Sequence, residues 1–333
     1  MKYDRAAFCA SLKAAAPGLS SQKSIADWAD RFHFSDGRMW ASGVGICYVT
    51  KSVVKLEGSV LGQALVKLVD GSRAKEVDIE LNGEELVVKL GRTRCTFTVG
   101  DPRRDYAFEE TVELPKSAEL LEALRIVSEC AGSDPSSPAR YGITADLGPE
   151  GFNLYSTNNL IITHCRLPFT MPERTVIQLP LLFCKSLGAG KLHLGKSTAM
   201  WRDGSVDVYC GLLEGADVTM YETLIKSLPS ADDGAATPIN TAFQHAVERA
   251  TIFGGGSTVL SCKGDAIYLY TQSQKGEIAD KVSAGPFTNE ISVNVDPEML
   301  LKAMKDMQRL SVSESCLSLS GGTTNRNVAV QVA

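Results

Sequence analysis

One pattern recurs three times along this chain: an apolar helix followed by glycine-turned strands. It begins near Ala7 (AFCASLKAAAPG, then ADRFHFSDGRMWASGVGICYV), near Ser117 (SAELLEALRIVSECAGSD, then ARYGITADLGPEGFNLYSTNNLIITHCRLP) and near Asn240 (NTAFQHAVERATIFGGG, then STVLSCKGDAIYLYTQSQ). The period of roughly 110 residues is too long for a solenoid unit and long enough for each copy to build its own core. Polar, turn-rich stretches, DPRRDYAFEE and PSADDGAATP, separate the copies, so the chain divides into domains at 1–108, 109–232 and 233–333.

Each copy repeats internally. KSVVKLEGSVLGQALVKLVDG, RTVIQLPLLFCKSLGAG and NEISVNVDPEMLLKAMKDMQ restate the opening of their own domain, so every half reads strand, helix, then two or three strands. The strands alternate with period two, as in Val77, Ile79 and Leu81, or Val206 and Val208. Asp36-Gly37, Asn82-Gly83 and Asp203-Gly204 supply hairpin turns. Phe8 with Leu12, Leu120 with Leu124, and Phe243 with Val247 form equivalent apolar helix stripes, and Gly18, Gly132 and Gly254 are expected to end those helices in left-handed conformation. The fold class is α+β: six helices and about two dozen strands, each half β-α-β-β-β, with helices on one side of antiparallel sheets.

Composition excludes several classes. No apolar run approaches the roughly 20 residues that span a bilayer, so no membrane partner is expected. Nine cysteines without a C-x-x-C pair argue for reduced thiols in a cytoplasmic protein, and against a disulfide framework or a zinc site. The net charge of −5 argues against coating nucleic acid through overall charge, but not against a local basic face.

The order and spacing of these halves, together with LYSTNNLIITHCRLPFTMPERTVIQLPLLFCKSL and the stretch from NTAFQHAVERATIFGGG to NEISVNVDPEMLLKAMKDM, resemble the bacterial DNA sliding clamp, the beta subunit family of DNA polymerase III. The resemblance covers essentially the whole chain. It implies three tandem domains of the clamp fold and a head-to-tail homodimer. Helices would line the resulting ring, antiparallel sheets would lie outside, and duplex DNA would be encircled without base readout. A polymerase and a clamp loader would dock through a short peptide motif, with no cofactor or metal.

Every expected helix carries a cation: Lys13, Lys67, Arg125, Lys185, Arg249 and Lys302. In the last helix Lys302, Lys305 and Arg309 are expected on one face. By the resemblance these residues, with Lys23 on the turn after the first helix, face DNA. A solvated helix face is the alternative, and Glu122, Glu248 and Asp306 favour it. The family's peptide pocket maps onto Thr157, Asn159, Leu160, Ile161, Ile162, Thr223, Leu224, Val328, Val330 and Val332. Here the chain departs from the family. Asn158-Asn159-Leu160-Ile161 replaces an acidic-Gly-His-Arg turn, and the tail reads NVAVQVA. These departures point to a shifted ligand preference and a bacteriophage or otherwise divergent member. Ring closure is expected to use strands near 89–99 and 265–272.

Catalytic signatures are missing: there are four histidines and no H-E-x-x-H, Walker loop or nucleophile elbow. His164 and Cys165 are neighbours on a strand and so point to opposite faces. Gly254-Gly255-Gly256-Ser257 follows a helix rather than opening one, which is the wrong polarity for a phosphate cradle. A scaffold of repeated α+β domains that binds proteins and never touches nucleic acid is the competing reading.

Overall fold

The computed structural model describes residues 1–20, 28–43, 45–103, 111–115, 117–132, 134, 141–228, 236–252 and 257–332. Lys23, Gly254 and most of both expected domain boundaries lie outside the described residues.

The half-repeats are present as expected. The first is β1 (Lys2–Asp4), α1 (Arg5–Ala15), β2 (Arg31–Ser35), β3 (Arg38–Ser42) and β4 (Ile46–Lys51). The second is β5 (Gly58–Leu61), α2 (Gly62–Asp70), β6 (Glu76–Asn82), β7 (Glu85–Leu90) and β8 (Thr93–Thr98). The third is β9 (Val112–Glu113), α3 (Ser117–Ser128), β10 (Ile143–Gly148), β11 (Gly151–Thr157) and β12 (Ile161–Leu167). The fourth is β13 (Thr175–Leu179), α4 (Leu181–Ser186), β14 (Lys191–Leu194), β15 (Thr198–Arg202) and β16 (Val206–Gly211). After α5 (Thr219–Ser227) come β17 (Thr237–Pro238), α6 (Thr241–Thr251), β18 (Ser257–Ser273) and β19 (Gly276–Val295). The chain ends with α7 (Pro297–Met304), β20 (Arg309–Val312), β21 (Cys316–Gly321), β22 (Thr324–Ala329) and β23 (Gln331–Val332).

Two departures have physical causes. The described residues hold seven α-helices, not six, because α5 forms in a segment whose Val218, Tyr221 and Ile225 give it an apolar stripe. Asp217 accepts a hydrogen bond from the Thr219 amide at its start. The opening strand of the last half is fused into β19. One part of β18, Thr258–Cys262, pairs with Ile291–Val295, and the other, Ala266–Ser273, with Gly276–Ser283. The register breaks between the two parts.

The chain forms two compact units, 1–121 with 185–212, and 122–184 with 213–333. The first holds an eight-stranded sheet, β5-β2-β3-β4-β16-β15-β14-β9, and a four-stranded one, β1-β6-β7-β8. The second holds β13-β10-β11-β12-β22-β21-β20-β17 and β18-β19-β23. Each large sheet joins the last three strands of two half-repeats along one antiparallel seam, with the opening strand of another half at each outer edge. In the first unit Cys210 pairs with Ile46, and in the second Ile161 pairs with Val328. Among the described residues the smaller sheets end in edge strands β1 and β8, and β18 and β23.

The expected stripe residues Phe8, Leu12, Leu120, Leu124, Phe243 and Val247 are all buried. Each such side chain contributes about 1.5–3 kcal/mol of transfer free energy. Alternation holds for Val77 and Ile79, but Leu81 is exposed one residue before the turn. Asp36 and Gly37 both take positive φ, as a two-residue hairpin loop requires. The glycine expectation fails at Gly18: it is not left-handed, and it is required because a Cβ would lie 2.2 Å from the Ala41 carbonyl oxygen. The Gly132 amide bonds to the Thr157 carbonyl.

Candidate nucleic-acid interface and peptide-docking patch

The helices are held by caps that leave their cations exposed. Asp4 accepts from the Ala7 amide at the start of α1, Asn240 from Phe243 at α6, and Asp296 from Glu298 and Met299 at α7, where Pro297 fits the first turn. With the apolar stripe fixed inward, Lys13, Lys67, Arg125, Lys185, Arg249 and Lys302 fall on exposed or half-exposed surface. Several meet carboxylates there. Lys13 lies 2.6 Å from Asp70 of α2, which holds that carboxyl below its ordinary range. Arg125 pairs with Glu122 at 2.6 Å and Glu129 at 3.1 Å, and it lies 3.8 Å from Asp306. Arg249 grips Asp280 with two nitrogens at 2.7 and 3.1 Å. Among the described residues Lys67, Lys185 and Lys302 carry no ion pair.

The expected common helix face of Lys302, Lys305 and Arg309 is not present. The helix stops at Met304, Lys305 takes an extended backbone and Asp306 has φ +63°, so the chain turns away after Lys302. Lys305 pairs with Glu129. Arg309 opens β20, where its neighbour Leu310 faces the helices, so Arg309 is on the opposite face of the sheet.

Arg326 plays a part that sequence reading missed. It is fully buried on β22, on the helix-bearing face. One guanidinium nitrogen donates to the carbonyls of Lys302, Ala303 and Lys305 at 2.8–3.3 Å. The other donates to the Ile126 carbonyl at 3.1 Å and lies 3.4 Å from Glu129. A single side chain thereby satisfies the orphan carbonyls ending both α3 and α7. An isolated arginine in an alternating strand gives no signal of this.

The expected peptide-pocket residues divide by period two. Ile161 and Val328 form a fully buried cross-strand pair within the helix-side core, so those two are not pocket walls, and the half-buried Val330 packs against that core. Ile162 points to the opposite face, against Tyr155, Val176, Val218, Tyr221 and Ile225. Thr157 shapes the turn: its hydroxyl donates to the Ile161 carbonyl and accepts from the Asn159 amide. Asn159 has φ +78°, and Asn158 accepts from the Leu160 and Ile161 amides. Leu160 is left 47% exposed at the tip. Thr223 and Leu224 lie on the exposed side of α5, Leu224 at 40% exposure. Val332 belongs to β23, paired to Val293 of β19.

An aromatic stack floors this patch. Tyr155 lies between His164, centroids 4.9 Å apart, and Tyr221, 5.2 Å apart. Burial, then the Asp146 charge, pushes the Tyr155 hydroxyl up to about 12. Burial, then Arg166, lowers His164, whose ring nitrogen bonds Asn153 at 3.1 Å. Arg174 holds Asp146 through two bonds of 2.8 and 2.9 Å and lies 3.7 Å from Glu222 of α5. Tyr155 and Tyr221 were legible in principle: Tyr155 sits two positions before Thr157, and Tyr221 four before Ile225. Cys165 turns into the sheet's buried side, so it and His164 do face opposite ways.

No protein-family model matches this chain, and no curated protein does. Solved structures do. The chain is similar to DNA polymerase III subunit beta from Pseudomonas aeruginosa, with TM-score 0.83 and 14% identity over 100% of both chains. It is similar to the DNA polymerase sliding clamp from Bacillus subtilis, with TM-score 0.82 and 16% identity over 100% of this chain and 98% of the other. The Helicobacter pylori beta clamp bound to a DNA ligase peptide matches at TM-score 0.80 and 12% identity over 99% of both chains. At these identities the likeness establishes the fold: this chain has, end to end, the fold of the bacterial sliding clamps.

Proposed function

We propose that this chain is one subunit of a DNA sliding clamp, a ring-shaped processivity factor that encircles duplex DNA without reading its sequence and tethers a replicative polymerase. What carries the reading is an end-to-end clamp fold in which each of the six repeat helices bears a cation off its apolar stripe. In this reading the chain comprises domains 1–108, 109–232 and 233–333. Two copies close head to tail, with β8 of one against β18 of the next, which covers one edge of each smaller sheet. Lys13, Lys67, Arg125, Lys185, Arg249, Lys302, Lys305 and Lys23 face the duplex. Arg309 leaves that set. Polymerase and clamp loader dock an apolar peptide beside Ile162 and α5. The protein acts by effective concentration and not by catalysis, in bacterial cytoplasm, including that of a phage-infected cell.

Mass measurement across a concentration range is expected to give a species of two chains. Once loaded, that species should remain on nicked circular DNA long after it has slid off linear DNA. Equal residence on both forms, or tight sequence-selective binding to a short duplex, overturns the reading. The pairing of Lys13, Arg125 and Arg249 with carboxylates favours the competing scaffold reading, which involves no DNA. Charge reversal of Lys67, Lys185 and Lys302 separates the two: shortened retention supports the clamp, and unchanged behaviour the scaffold.

A further inference from the structure

In the first unit the end of α2, the loop that follows it and the β7–β8 turn enclose a cleft of about 500 Å³. Lys67 of α2 and Arg73 of the loop line it, together with the hydroxyl residues Ser72 and Thr93. The cleft opens on the helix-bearing side of the small sheet, because Thr93 shares its strand face with Phe97, which packs against the core formed with α1 and α2. Gly91, at φ +61° in the turn, adds no side chain to the opening.

Among the described residues no carboxylate lines the cleft, and the acids nearest in sequence are committed elsewhere. Asp70, on the last turn of α2, is directed to α1, 2.6 Å from Lys13 and 3.5 Å from the Cys9 thiol. On β6, Glu76 pairs with Lys2, Asp78 with the N-terminal amine and Glu80 with Lys89. Lys67 and Arg73 have no ion partner among the described residues. Carbonyls at the helix end, which would repel an anion, are occupied as well. That of Lys67 accepts from the Gly71 amide, and that of Val69 from Arg5 at 3.4 Å. The Ser72 hydroxyl accepts from the Ala74 amide, which leaves its own proton to donate.

We infer that this cleft is a phosphate subsite, in which Lys67 and Arg73 hold the non-bridging oxygens of one phosphodiester of the encircled duplex. Two cations that share an opening with hydroxyl donors and no acid present the donor set a phosphate takes. The guanidinium supplies a fork, the ammonium a point charge, and the hydroxyls further hydrogen bonds. Lys13, Arg125 and Arg249 offer no such set, because each already faces a carboxylate. This rests on the proposal above that duplex DNA passes the helix face, and it adds Arg73 and a preferred resting place for one phosphate.

Pyridoxal 5′-phosphate probes the cleft in the full-length protein. Its aldehyde condenses with a lysine amine to an imine, releasing water, while its phosphate is drawn to a neighbouring cation. Borohydride reduction fixes the adduct, and peptide mass spectrometry measures it at each lysine. With limiting reagent, Lys67 is expected to be labelled about five- to tenfold more than Lys55, an exposed lysine outside the cleft. Arg73→Gln should bring Lys67 down to the level of Lys55, and Arg73→Lys should keep part of the difference. At low salt both a short DNA duplex and inorganic pyrophosphate should protect Lys67. If Lys67 is labelled no more than Lys55, or if its excess survives Arg73→Gln, the subsite is wrong, while the clamp reading, tested on circular DNA, is untouched. If pyrophosphate protects Lys67 and duplex does not, the cleft takes a free phosphate, and the passage of DNA along this helix face is wrong.

Discussion

The two faces of the large sheet in the second unit carry charge in opposite ways. On the helix-bearing face, Arg125, Arg249, Lys305 and Arg326 are closed into ion pairs and hydrogen bonds, whereas the Lys302 side chain is not. Arg326 is sealed beneath α3 and α7, Arg125 and Lys305 converge on Glu129, and Arg249 is held by Asp280. On the opposite face, a stack of His164, Tyr155 and Tyr221 adjoins exposed Leu224, and two arginines line an open cleft. The helix face spends most of its cations on holding its own helices, which leaves a weak attraction for a polyanion and no means of gripping it. Under the proposed clamp reading a lumen of this kind would let DNA slide, but the pairing itself is equally what a scaffold without DNA would show. The opposite face keeps apolar side chains such as Leu224 exposed beside its aromatic stack, as a surface that recognises a partner does.

The largest test breaks the helix face. Replacing Arg326 by Met keeps its volume but strips donors from four carbonyls, that of Ala303 buried and the others partly so, and leaves Glu129 without that partner. A loss of about 3–5 kcal/mol is expected, because removal of one member of a buried charged network strands the others. Denaturant titration followed by far-UV circular dichroism measures it. An unchanged midpoint would mean that apolar packing alone holds α3 and α7, and the contrast between the faces would lose its foundation.

How far these faces were legible in the sequence depended on what kind of signal each residue gave. Repetition disclosed the β-α-β-β-β halves, because a recurring apolar stripe such as Phe8/Leu12 or Phe243/Val247 is a local pattern with a single use. It did not disclose that β4 pairs with β16 and β12 with β22, since long-range pairing leaves no trace in either strand. The pocket assignment failed at Ile161 and Val328 because a resemblance carried over runs of residues, whereas a strand sends neighbours to opposite faces. Lys305 and Arg309 misled for a related reason. Helical spacing was extended past Met304, where Asp306 adopts a left-handed backbone that ends the helix. Helix α5 escaped notice because nine residues with one short apolar stripe read as a linker until Tyr155 and Ile162 are there to receive them.

A smaller effect sharpens the contrast within the cations themselves. Lys67 and Lys302 have no ion partner among the described residues, whereas Lys13 and Arg249 already face carboxylates. Neutralising an unpaired cation to Gln should lower the slope of log affinity against log salt for linear duplex by about one per residue. Neutralising a paired one should change it by less, since the freed Asp70 or Asp280 replaces the lost attraction with repulsion only where DNA approaches that acid. Anisotropy titrations at several salt concentrations give the slopes. If Lys13→Gln and Lys67→Gln have equal effects, pairing in the free protein does not govern what DNA meets.

The smallest effect concerns His164 on the opposite face. Its imidazole holds a proton less tightly in the folded protein than in the unfolded chain, where the ordinary value is 6.5, because burial and then the Arg166 charge disfavour the cation. Below pH 6.5 the unfolded chain therefore binds more protons than the folded one. Stability is unaffected well above that pH and declines as the pH falls toward the depressed folded value. His164→Gln removes the titration while keeping a polar group beside Asn153. Thermal midpoints at pH 7.5 and 5.5 should drop further for the original protein than for the variant. The half-buried His193, shifted in the same direction, contributes equally to both and cancels. Equal drops would mean that the stack accommodates an imidazolium at no cost, as it would if water reached His164 beside Tyr155. The floor of the docking patch would then be open rather than packed, and an apolar anchor would have to displace that water before it could bind.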